Sequence, residues 1–169
     1  IRVDVQSVNN VRWLVCDRWV DITYKDLSIR FDCRKGLTVD TYINHSICAK
    51  PIFGTLKHGL LDDIAWGSDF FSGHLIMETP GEPKTTDLKY VKPIIKLTNN
   101  KLILTGKIDT SLGRIRKEWS LDLINMVLVL DIKIDWKRAI VGSLRLGHIT
   151  LIPDSFDERS LEIKTCNGG

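Results

Sequence analysis

The sequence lacks any apolar run near the ~18 residues that span a bilayer. Its longest, Met126-Val127-Leu128-Val129-Leu130, suits one buried strand. Ile1-Arg2-Val3-Asp4 carries no signal-peptide core. No membrane partner is therefore expected. Cysteine is sparse, and Cys16, Cys33, Cys48 and Cys166 form no C-x-x-C pair. That spacing argues against a zinc knuckle or a thioredoxin-type site. Free thiols in a reducing compartment follow, and with them a cytoplasmic location.

A basic stripe interleaved with exposed aromatics is missing too, so no nucleic-acid partner is expected. The 24 basic and 21 acidic residues are scattered, for a net charge of +3. The densest basic spots, Arg114-Ile115-Arg116-Lys117 and Lys137-Arg138, sit beside acids and read as solvated faces. There is no G-x-S-x-G elbow, H-E-x-x-H helix, P-loop or G-x-G-x-x-G. A complete catalytic apparatus is not identifiable, so no catalytic residue, metal or cofactor is assigned. Helical stripes are also scarce. Short turns near 60–64 or 155–159 are the most that the pattern suggests.

What the chain does have is alternation of period two, the signature of strands with one face in the core. Val20, Ile22 and Tyr24 alternate with polar residues, as do Leu27, Ile29 and Phe31. After the turn at Arg34-Lys35-Gly36, Leu37, Val39, Thr41 and Ile43 share a face. Leu102, Leu104 and Ile108 share a parity with Gly106, which marks a bulge or a close backbone approach. Beyond a turn at Thr110–Gly113, Ile115, Trp119, Leu121 and Leu123 face one way, with Lys117 the exception among them. A two-residue turn at Ile124-Asn125 leads into 126–136, giving a long hairpin. Segments 144–152 and 161–166 supply two further strands. With 43% hydrophobic and 27% charged residues, the chain is globular in balance. The expected fold is all-β: a twisted antiparallel β-sandwich with few or no helices, one domain over 1–169. The absent initial Met and the closing Asn167-Gly168 turn signal suggest a domain from a longer polypeptide.

Residues 50–93 break the alternation with Pro51, Gly54, Gly59, Gly67, Gly73, Pro80-Gly81, Pro83 and Pro93. Long loops on β-scaffolds tend to carry function. Three readings compete. Asp62, Asp63 and Asp69 with His58 or His74 could ligate a metal, although the spacing matches no EF-hand. Trp66, Phe70 and Phe71 beside Asp62, Asp63, Asp69 and Glu78 have the composition of a sugar site, which needs an apolar platform and convergent hydrogen-bonding groups. Alternatively, the acids cap turns and the aromatics fill the core. The candidate carbohydrate-binding set is His58, Asp62, Asp63, Trp66, Asp69, Phe70, His74 and Glu78. A stand-alone mutarotase or epimerase would use His58 or His74 as acid and Glu78 as base. An interaction module with no sugar role is the remaining alternative.

The run Ile52-Phe53-Gly54-Thr55-Leu56-Lys57-His58-Gly59, then Asp62-Asp63-Ile64 and Gly67-Ser68-Asp69-Phe70-Phe71-Ser72-Gly73-His74, resembles the C-terminal β-sandwich region of glycoside hydrolase family 57-like proteins. Glu78-Thr79-Pro80-Gly81, Thr86-Asp87-Leu88, Ile29-Arg30-Phe31-Asp32, Arg34-Lys35-Gly36-Leu37 and Thr165-Cys166-Asn167-Gly168-Gly169 extend the likeness over roughly 20–169. The resemblance implies a supersandwich similar to galactose mutarotase-like domains. It implies an accessory role in a carbohydrate-active enzyme, beside a catalytic domain of the same polypeptide that carries the carboxylates. An α-glucan or another glycan would be the ligand.

Overall fold

The computed structural model describes residues 4–8, 10–56, 70–157 and 159–162. The chain is all-β. Its strands are β1 (Asp4–Val8), β2 (Val11–Val15), β3 (Trp19–Tyr24), β4 (Leu27–Asp32), β5 (Thr38–Asn44), β6 (Phe53–Gly54) and β7 (Leu75–Glu78). There follow β8 (Thr85–Thr86), β9 (Ile94–Leu97), β10 (Lys101–Asp109), β11 (Gly113–Asp122), β12 (Val127–Trp136), β13 (Ser143–Leu146) and β14 (Thr150–Leu151). Short 3-10 turns lie at Cys33–Lys35 and Pro153–Ser155.

Three antiparallel sheets result. The first runs β1-β2-β3-β4-β5-β6-β14, the second β12-β11-β10-β9, and the third β13-β7-β8. The first two form the sandwich. Val20, Ile22, Leu27, Ile29 and Phe31 from one sheet share a buried core with Leu102, Leu104, Ile115, Trp119 and Leu121 from the other. The alternation expected in β3, β4, β10 and β11 is thus the core pattern itself. Burial of one such Leu, Ile or Phe side chain contributes about 1.5–3 kcal/mol.

Four local expectations need correction. In β5, Phe31 lies opposite Val39 but Arg30 lies opposite Thr41, so Asp40 is the extra residue of a β-bulge. Thr41 and Ile43 therefore share the face of Arg30 and Ser28, not that of Val39. The hairpin loop between β11 and β12 has four residues, since Asp122 pairs with Val127. The Asp122 carboxylate accepts from the backbone N–H groups of Ile124 and Asn125 and closes that loop. The expected strand over 144–152 is two short pieces, because Gly147 takes a left-handed φ of +64° between them. The expected strand over 161–166 is not formed at Leu161 and Glu162, and the rest of it lies outside the described residues.

Gly106 marks a close approach rather than a bulge, for β10 keeps unbroken register with β11. A Cβ there would lie 2.5 Å from Val91 and 2.6 Å from Leu37. The third sheet joins the first through Ser72, which bridges to Val39. The Ser72 hydroxyl donates to the Gly54 carbonyl and accepts from Thr150 N–H.

Candidate functional site

Of the eight candidate binding residues, His58, Asp62, Asp63, Trp66 and Asp69 lie outside the described residues. Phe70, His74 and Glu78 are described, and they have different surroundings. Phe70 is half-buried, and its carbonyl accepts from Leu56 N–H. His74 is buried, its ring 5.5 Å from that of His148. Glu78 is half-exposed, 2.7 Å from Lys84 Nζ and 3.7 Å from Arg145. His74 and Glu78 stand four residues apart along an extended segment, roughly 13 Å.

His74 belongs to a buried polar cluster that the sequence showed only as the parity exception at Lys117. Lys117 and Asp87 are both fully buried, with Nζ 2.5 Å from the carboxylate. Lys117 Nζ also donates to the Gly36 carbonyl at 2.8 Å. The other Asp87 oxygen accepts from Leu75 N–H. Burial lowers the Lys117 pKa, and Asp87 opposes that shift. Burial likewise lowers that of His74, again against Asp87. Perturbed groups often mark active sites. These, however, are buried, and the bonds of Lys117 and Asp87 tie β11 to β7 and to the turn at Gly36. The cluster is a structural pin.

Glu78 is a different case. The Lys84 hydrogen bond, reinforced by the charges of Lys84 and Arg145, holds its carboxyl below the usual carboxylate range. It is an anion at neutral pH, fit to accept hydrogen bonds and unfit as a general acid.

Two openings invite comparison as ligand sites. One is an apolar groove of about 380 Å³ between Phe53, Trp119, Leu130, Ile132, Leu146 and Ile149. The polar side chain on its wall is that of Ser72, whose hydroxyl is already committed. Such a groove suits apolar side chains, not sugar hydroxyls.

The second is an open cleft of about 570 Å³ at the end of β12, lined by Met77, Trp136, Lys137, Arg138, Gly142 and Leu144. Arg138 reaches both oxygens of Glu82 at 2.6 Å. Lys137 Nζ donates to the Thr110 carbonyl. Glu78 follows Met77 in β7, so its carboxylate points to the face of the sheet away from the cleft, with Lys84 and Arg145, and only its backbone carbonyl lies against Gly142. Trp136 is 45% exposed. Among the described tryptophans its face alone is free: Trp13 and Trp119 are buried, and guanidinium groups of Arg18 and Arg30 cover Trp19. The sequence reading missed this cleft. Trp136 has the parity of the inward residues of β12, and nothing in that alternation reveals that it is exposed where Leu128, Leu130, Ile132 and Ile134 are half-buried.

No protein-family model, curated protein or solved structure matches the chain. No group of three or more His, Cys, Asp or Glu side chains is placed to hold a metal among the described residues. No helix of the described residues is long and apolar enough to cross a membrane.

Proposed function

We propose that this chain is a non-catalytic accessory β-sandwich of a carbohydrate-active enzyme, one that contacts a glycan at the Trp136 cleft. The observation that carries the reading is the free indole face of Trp136, flanked by fixed charged groups. A pyranose ring has an apolar C–H face and a rim of hydroxyls. An exposed indole covers the face, while charged groups held by their own ion pairs meet the hydroxyls without reorganisation. The Arg138–Glu82 pair is of that kind. The sequence resemblance to glycoside hydrolase family 57-like proteins supplies the context: a catalytic domain of the same polypeptide performs hydrolysis, and the sandwich packs beside it. The free thiols of Cys16, Cys33 and Cys48 suit the reducing cytoplasm.

Titration calorimetry with maltooligosaccharides, followed by a broad glycan array, tests the reading. Binding that disappears in Trp136→Ala, with thermal stability retained, is the expected result. Silence across the whole array, or unchanged binding by Trp136→Ala, would remove glycan contact from the role of this domain.

A further inference from the structure

The outer edge of β12 is ten residues long, and among the described residues no strand pairs with it. Natural proteins guard such edges with proline, bulges, inward-pointing charges or edge charges of one sign that repel a second copy. Between Val127 and Trp136 there is no proline, bulge or inward-pointing charge, β12 keeps unbroken register with β11, and its outward charges, Asp131, Lys133 and Asp135, are of both signs. Its inward side chains Leu128, Leu130, Ile132 and Ile134 remain half-buried along the open side of the sandwich.

The backbone polarity of that edge can be read from the neighbouring hydrogen bonds. Lys137 N–H donates to Leu112 O, and Leu123 N–H donates to Asn100 O. Odd residues of β12 therefore bond toward β11, and even residues direct N–H and C=O outward. A strand added at this edge would pair with Leu128, Leu130, Ile132, Ile134 and Trp136.

The outward charges of β12 do not fit its existing neighbour. Asp131 lies directly opposite Glu118, and Lys133 directly opposite Arg116. Like charges in facing positions are unfavourable. Arg116 and Glu118 satisfy each other at 2.8 Å, while Asp131 and Lys133 form no ion pair among the described residues. They do fit one another. Two antiparallel copies of β12 related by a two-fold axis at Ile132 set each Asp131 opposite the other copy's Lys133. Ile132 then meets Ile132, and Leu130 meets Ile134 on the inward face. Centring the axis on Asp131 or on Lys133 puts identical charges together. Centring it on Ile134 pairs Lys133 with Asp135 but leaves only Ile132 to Trp136 of β12 overlapping.

We propose that a second copy of this chain pairs antiparallel with β12 about a two-fold axis at Ile132, fusing the two four-stranded sheets into one of eight strands. The proposal does not rest on glycan binding: it is argued from the edge and charges of β12, although the register also sets Trp136 of the cleft opposite Leu128 of the second copy.

Charge swaps test the register as well as the association. Sedimentation equilibrium of the unaltered chain is expected to give a concentration-dependent dimer. Asp131→Lys and Lys133→Asp each set like charges across the axis twice and should weaken self-association about tenfold or more. Neither should harm the fold, because each introduced side chain would face an opposite charge on β11, the lysine meeting Glu118 and the aspartate meeting Arg116; circular dichroism checks this. Mixing the two single variants restores both ion pairs, so they should form a heterodimer, and the double swap should form a homodimer. A monomer at high micromolar concentration overturns the proposal and leaves the edge to a different chain. A dimer indifferent to the swaps overturns it equally.

Discussion

Lys117 Nζ lies 2.5 Å from the Asp87 carboxylate, with both side chains fully buried. Removal of one partner strands the other charge in the core and costs about 3–5 kcal/mol. Lys117→Met should therefore shift the urea midpoint strongly. In Asp87→Asn/Lys117→Met no charge is stranded, and the Asn carbonyl can still accept from Leu75 N–H. That double variant should recover much of the loss, but not all. The Gly36 carbonyl loses its donor in either case, a deficit of about 1–3 kcal/mol. A double variant no more stable than Lys117→Met would mean that the charge balance is not what the pair supplies.

This pair also shows where the sequence was legible and where it was not. Alternation identified the core faces of β10 and β11, because burial on one side of a sheet writes itself at period two. Lys117 looked like a fault in that pattern, since its partner Asp87 is thirty residues away in an irregular segment. Asp40 hid the bulge of β5 for a related reason: an inserted residue changes parity without changing composition. The glycan candidates within 50–93 stand out by composition, and composition is blind to burial. His74 is core and Glu78 surface, while Trp136, at the end of β12, is exposed despite its inward parity.

His74 makes a pH-dependent contribution. Neither ring nitrogen has a hydrogen-bond partner. Burial lowers its pKa from the ordinary 6.5; Asp87 opposes the shift, and the charge of Lys117 and the neighbouring His148 add to it. The unfolded chain then binds the proton more readily than the folded one. The stability due to neutral His74 is full above about pH 6.5 and is lost as pH falls through the lower folded-state value. His74→Leu should keep its stability at pH 7.5 and show a shallower fall in melting temperature between pH 6.5 and 5. A slope equal to that of the unaltered chain would assign the titration to another group.

Cys33 should be inert. Burial, reinforced by the nearby Asp32, pushes its thiol up to about 12, so almost no thiolate exists at neutral pH. Labelling with a disulfide reagent at pH 8 should leave Cys33 unmodified in the native protein and expose it in guanidinium. Cys33→Ser would then lower the denatured count by one thiol and leave the native count unchanged. A fall in the native count would show that this part of the core opens on the labelling timescale.

Gly73 is where the third sheet meets the tryptophan of the main core. Its φ is +84°, and a Cβ would lie 2.3 Å from the Trp119 ring. Trp119 cannot retreat, because its indole N–H donates to the Leu37 carbonyl at 2.8 Å and its ring packs against Phe31. Gly73→Ala thus combines backbone strain of about 1–2 kcal/mol with overpacking of about 1–3 kcal/mol. The two parts can be separated. Trp119→Phe removes the ring atoms that the new methyl would strike, while the backbone strain stays. Gly73→Ala/Trp119→Phe should therefore lose less stability than the sum of the single losses, by about 1 kcal/mol or more. Strict additivity in urea denaturation would place the whole cost in the left-handed backbone and none in contact with Trp119.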